Sequence, residues 1–143
     1  MRRALVLVVV VVGVVVGGCG GVGRLPAGGP CSLVGPDKVA EVLGVDDVGS
    51  ERVGGRCEYS ATGGRPSADV ISGRDSRLAG VGEVELDGVT GRRLDKGEGW
   101  DCGVEVVLDE KEDEQRFTVL VAGDDACGRA DRVAGLILGR LAG

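Results

Sequence analysis

Four cysteines, Cys31, Cys57, Cys102 and Cys127, are spread through a chain that holds one Trp, one Tyr, one Phe and no histidine. No other feature limits the possible folds as much. A core of Val, Leu, Ile and Ala buries less area per residue than one with aromatic rings. A small domain with such a core is marginal and gains most from covalent staples. The spacing does not suit a metal: no Cys-x-x-Cys pair occurs, and the commonest zinc partner, histidine, is missing. The four cysteines read as two disulfides, with reduced, buried thiols as the alternative.

Disulfides need an oxidising compartment, and the amino terminus points to one. Met1-Arg2-Arg3 is a short positive segment, followed by the unbroken apolar run "ALVLVVVVVGVVV" from Ala4 to Val16. As a helix this run spans roughly 20 Å, short of a hydrocarbon core of about 30 Å. It has the build of a secretory signal peptide, an uncleaved anchor helix being the alternative. Val16-Gly17-Gly18-Cys19 resembles a bacterial lipobox, with Val16 where Leu is more usual. That resemblance implies a diacylglyceryl thioether on Cys19, cleavage after Gly18 and acylation of the new amino terminus. Each buried lipid methylene contributes about 0.8 kcal/mol, so two or more chains anchor stably. The expected organisation is a lipoprotein signal peptide over 1–18, a lipidated flexible tether over 19–30 and one disulfide-stapled domain over 31–143. The expected location is the extracytoplasmic face of the cell membrane.

Gly18-Cys19-Gly20-Gly21-Val22-Gly23 also spells G-x-G-x-x-G. A dinucleotide site would need a helix directly after it, and "RLPAGGPC" is rich in helix breakers. No cofactor is expected. Without Arg2 and Arg3 the chain sets 15 basic residues against 23 acidic ones, which argues against a nucleic-acid partner.

"CGVEVVLD" (102–109) and "RFTVLVA" (116–122) read as a hairpin around the acidic turn "EKEDEQ". Such a hairpin brings Ala122 beside Cys102, and Cys127 follows five residues later. Of three possible connectivities this favours Cys102–Cys127, leaving Cys31–Cys57 by elimination. "GPDKVAEVLG" predicts a short helix opened by Pro36 and closed by Gly44. "RCEYS" (56–60), "SADVIS" (67–72), "GEVEL" (82–86) and "VTGRRL" (89–94) predict short strands, the last two joined by the turn pair Asp87-Gly88. Residues 45–55 predict a loop. Ala126, Ala130, Val133, Ala134, Ile137 and Leu141 recur at helical spacing, with Leu136 and Leu138 flanking the stripe. The expected fold is α+β: an antiparallel sheet of about five to six strands, a short amino-terminal helix and a longer carboxy-terminal helix packed on it, and two disulfides.

"PCSLVGPDKVAEVLG", "RCEY" and "CGVEVVL…FTVLVAGDDACGRADRVAGLILGRL" together resemble a domain-of-unknown-function family of small actinobacterial lipoproteins. Its plan is a Cys-Ser-Leu-Leu start, a Pro-led helix ending in Leu-Gly, a Cys-Arg/Glu-Trp/Tyr strand and a late Cys opening an Ala-rich terminal helix. The resemblance covers roughly residues 30–143, loosely over 73–101. It implies an exported, lipid-anchored domain with Cys31, Cys57, Cys102 and Cys127 paired, and it supplies no catalytic residues.

Several clusters invite a functional reading, each beside a plainer one. Asp109, Glu110, Glu112, Asp113 and Glu114 lack the ligand order of a calcium loop and read as a solvated turn. Asp124 and Asp125 precede the terminal helix and read as caps. Trp100 reads as packing on the Cys102 bridge, a ligand-stacking surface being the alternative. Arg92 and Arg93 read as surface, or as contacts to anionic headgroups. Ser50, Ser60, Ser67, Ser72 and Ser76 have no histidine to activate them. No catalytic or metal-binding set is expected. The leading expectation is a non-enzymatic, lipid-anchored interaction or sensor domain for an envelope protein. A carrier of a small apolar ligand or lipid is the alternative, and an envelope hydrolase is third.

Overall fold

The computed structural model describes residues 23–75 and 77–143. The predicted leader, Cys19 and Ser76 lie outside them. Helix α1 (Pro36–Leu43) begins with Pro36, whose missing N–H would have no helical partner there. It stops at Gly44, which adopts φ 70° and donates its N–H to the Ala40 and Glu41 carbonyls.

Seven strands follow: β1 (Gly49–Val53), β2 (Arg56–Ser60), β3 (Ser67–Ser72), β4 (Gly80–Leu86), β5 (Val89–Leu94), β6 (Cys102–Val107) and β7 (Arg116–Ala122). Helix α2 (Ala126–Ala142) closes the chain. The strands form one antiparallel sheet in the order β1-β2-β3-β7-β6-β5-β4. Two meanders, β1–β3 and β4–β7, are therefore joined where β3 pairs with β7, Val70 opposite Val119. The fold is α+β with two disulfides, but the sheet has seven strands rather than five to six. The unexpected strand is β1, where a loop was predicted. All five of its residues are exposed, so it shows no apolar alternation, and β2 supplies its hydrogen bonds.

Strand alternation sends Cys57, Tyr59, Val70, Val104, Val106, Phe117, Val119 and Val121 to the face covered by the helices. α2 adds Ala126, Ala130, Val133, Ala134, Ile137 and Leu138. Leu138, expected beside the stripe, is buried on it, and Leu141 is only half-buried. The change follows from the 3.6 period, which stacks Leu138 above Ala130 and Ala134. The Tyr59 hydroxyl donates to the Val34 carbonyl at 2.7 Å, and burial pushes its pKa up. Strand packing at Gly103 leaves no room for a side chain: a Cβ there would lie 2.6 Å from the Leu120 side chain and 2.9 Å from the Val119 carbonyl. Gly103→Ala is expected to cost about 1–3 kcal/mol, read as a lower urea midpoint at unchanged slope.

Within the expected tether, the described residues 24–30 make specific contacts with the domain. Leu25 packs on the edge of the core and donates its N–H to Gln115 Oε1 at 2.9 Å, while Arg24 pairs with Glu112. Gly23 sits so close to the Leu141 carbonyl that no Cβ would fit. Pro30 is buried in a 3₁₀ turn, Pro30–Ser32, that includes the bridged Cys31. Leu25 and Pro30 supply the apolar surface that fixes a segment otherwise rich in glycine.

Candidate functional site

One surface depression is a groove of about 790 Å³ between α1, α2 and the β4–β5 turn. α1 contributes Lys38, Glu41 and Val42, whose i, i+3, i+4 spacing puts them on one face. α2 contributes Asp131, Arg132 and Leu136, and Leu136 is the large apolar side chain that this helix leaves exposed, at 39%. Asp87 and Gly88 adopt φ 48° and 83°, the left-handed pair of a tight hairpin turn. The turn closes onto the helix at Gly135, where a Cβ would meet Asp87 Oδ2 at 3.3 Å.

The floor of the groove is apolar, from Val42, Leu86 and Leu136, and its rim is charged. Most rim charges are paired: Lys38 with Glu41 at 3.6 Å, Arg132 with Asp125 at 3.4 Å and Asp131 with Arg93 at 2.8 Å. Asp87 has no ion-pair partner among the described residues, whereas Glu85, between the core-facing Val84 and Leu86, turns to the other face of the sheet and accepts the Thr90 hydroxyl at 2.6 Å. The rim is thus suited to a cationic group above an apolar one.

A second depression, about 550 Å³, lies by the β1–β2 turn and carries Arg56, Arg74 and Arg77. Its guanidinium groups are held by carboxylates: Arg56 by Asp69 at 3.3 Å, Arg74 by Asp113 at 3.5 Å and Arg77 by Asp75 at 2.7 Å. Hydrogen bonds from the Arg77 side chain lower the Asp75 pKa to about 2. The Gly123 N–H, with Arg65 nearby, lowers that of Asp101. Both carboxylates stabilise the fold fully above the ordinary Asp range. Their contribution is lost as pH falls, for Asp75 through about 2. Asp69 works in the opposite sense, because burial raises its pKa against the pull of Arg56. Its contribution is present at low pH and fades as pH rises through its folded value. Asp75→Asn is therefore expected to lose less stability than wild type in urea titrations between about pH 5 and pH 2.

The sheet face away from the helices has a small apolar cluster of Ile71, Leu94 and Leu120, with Leu78 and Trp100 against it. Glu105 and Thr118, opposite one another on β6 and β7, are buried beside it. Glu105 Oε1 lies 3.0 Å from Arg92 and 3.6 Å from Arg116. Glu105 Oε2 and Thr118 Oγ1 have no partner among the described residues. Nothing in the alternating "VEVV" reads as a buried charge, so sequence reasoning missed this pair.

Three expectations for individual side chains need correcting. Trp100 does not join the helix-side core with Cys102, because the turn at Gly97–Trp100 reverses the chain and lays the indole over Gly97. Asp125 occupies the N-cap position of α2 but makes no side-chain cap hydrogen bond. Its backbone is left-handed at φ 50°, and its carboxylate faces Arg132 instead. Arg92 and Arg93 are not plain surface residues: Arg92 covers Glu105, and Arg93 binds both Asp131 oxygens at 2.8 Å.

Cys31 is bonded to Cys57 and Cys102 to Cys127, the pairing that the hairpin geometry favours. Glu110 to Glu114 are exposed, and among the described residues no group of three or more His, Cys, Asp or Glu side chains is arranged to hold a metal ion. None of the described helices is long and apolar enough to cross a membrane. No family model, no curated protein and no solved structure matches this chain.

Proposed function

We propose that this chain is an exported lipoprotein, anchored through lipid on Cys19 to the extracytoplasmic face of the cell membrane. Its domain works without catalysis, by binding an envelope protein. The observation that carries the binding role is the groove between α1 and α2, with an exposed apolar floor residue, Leu136, near Asp87, a carboxylate that has no ion-pair partner among the described residues. This suits a protein segment that pairs an apolar side chain with Lys or Arg. A lipid carrier would need an enclosed apolar space, and the helix–sheet interface is filled by fully buried side chains such as Ile137, Phe117 and Val119. The lack of histidine supports the non-catalytic reading.

Two measurements test the proposal. Mass spectrometry of the chain from a lipoprotein-processing host should find an acylated, diacylglyceryl-modified Cys19 as the first residue. A photo-crosslinking residue at Leu136, but not at exposed Val81 on β4, should give one discrete adduct in the envelope, lost on Asp87→Lys. Equal labelling from both positions would remove the groove as the binding surface. A small-molecule adduct in the native mass spectrum would replace the protein partner with a ligand.

A further inference from the structure

We infer that the anchor holds the domain in one orientation, with the β6–β7 turn end of the sheet against the bilayer and the Trp100 end facing away; this rests on the lipid-anchor reading. Only three residues separate Cys19 from Gly23, and Gly23 is seated against the Leu141 carbonyl at the end of α2. The next two residues fasten the chain to the β6–β7 turn, Arg24 through Glu112 and Leu25 through Gln115. Fully extended, the chain from Cys19 to Gly23 reaches roughly 14 Å. A domain tied this closely cannot turn its far end to the membrane without breaking the Leu25 and Arg24 contacts.

The strand registers define which groups share that end. Val107 opposite Arg116, Phe117 opposite Ser72, and Val53 opposite Arg56 put the β6–β7 turn, the exit of β3 and the β1–β2 turn together. The opposite end carries Trp100, the Cys102–Cys127 bridge and the β2–β3 turn, which Arg65 ties to Asp101 at 2.7 Å. The six residues of β6 span the distance between the ends, about 20 Å. The bilayer-facing end mixes the carboxylates and Lys111 of the β6–β7 turn with Arg56, Arg74 and Arg77, each already paired with a carboxylate, so a zwitterionic surface fits it better than an anionic one.

The single tryptophan makes the test direct. The lipidated full chain would be placed in phosphatidylcholine vesicles containing doxyl-labelled phosphatidylcholine, after its mass has shown the lipid on Cys19. Quenching of Trp100 would be compared with that of an added reporter, Glu110→Trp, in the exposed turn. The expected result is at least about threefold stronger quenching of the turn reporter, given the separation of the two ends. A copy with Trp100→Phe isolates the turn signal. If that copy fails to fold, the increase over wild type in the chain that keeps Trp100 gives the same comparison. Equal quenching, or stronger quenching of Trp100, on a lipid-bearing chain would overturn the orientation and leave the anchor intact. An unmodified Cys19 would remove the anchor and the orientation together.

Discussion

A chain with Cys102 and Cys127 both replaced by Ser is expected to be about 3 kcal/mol less stable than wild type. The bridge closes a loop of 25 residues, and its removal returns to the unfolded chain the freedom that closure had taken away. For a domain of this size the loss corresponds to a fall in melting temperature on the order of 10 °C. The core has little reserve with which to absorb it, since Phe117 and Tyr59 are its only fully buried aromatic rings. Replacing Cys31 and Cys57 should cost a similar amount, because that bridge closes 26 residues. It should also have a local effect that the first variant lacks. Cys31 ties down the segment that begins at Gly23, so amide exchange at Leu25 should speed up in this variant and remain slow in the other. Thermal melts with hydrogen exchange separate the two. Unchanged melting in strong reductant would show that the thin core suffices without staples.

The sequence makes the longer elements legible because burial repeats along them. β2, β3 and β5 lie where alternation predicts them, and α1 lies between Pro36 and Gly44. β1 has no such pattern, because an edge strand owes its existence to a neighbour's unpaired amides. The only local sign of it is Gly54-Gly55, a two-residue turn between Val53 and Arg56. Trp100 and Asp125 show a different limit. Both sit beside correctly placed elements, but the backbone between Gly97 and Trp100 and the left-handed turn at Asp125 re-aim their side chains. The groove was legible in part. Asp87-Gly88 announces the turn at its rim, while the approach of α1 to α2 depends on tertiary packing. Glu105 was hidden by the alternation itself. Val104 and Val106 face the helices, so the residue between them reads as solvent-exposed, and Arg92 and Arg116 are placed over it only by folding.

This buried carboxylate gives the second large effect. Arg92→Met combined with Arg116→Met is expected to lower stability by about 3–5 kcal/mol, since a charge stripped of its partners remains in the interior. Each single variant should cost less, because the other guanidinium still serves Glu105 Oε1, from 3.0 Å for Arg92 and 3.6 Å for Arg116. Thr118→Val should act in the opposite direction and gain about 1 kcal/mol, because it replaces an unpartnered buried hydroxyl with a methyl group of similar shape. The arginines also cover apolar surface with their stems, so the double variant alone does not isolate the charge. Adding Glu105→Met does. If the cost is electrostatic, the triple variant regains most of what the double variant lost, since three apolar side chains then fill the site of an ion cluster. If the cost is packing, the triple variant stays as unstable as the double. Urea unfolding of the wild-type, double and triple chains decides between them, and recovery in the triple would mean that Glu105 is the group that obliges the sheet to keep both arginines.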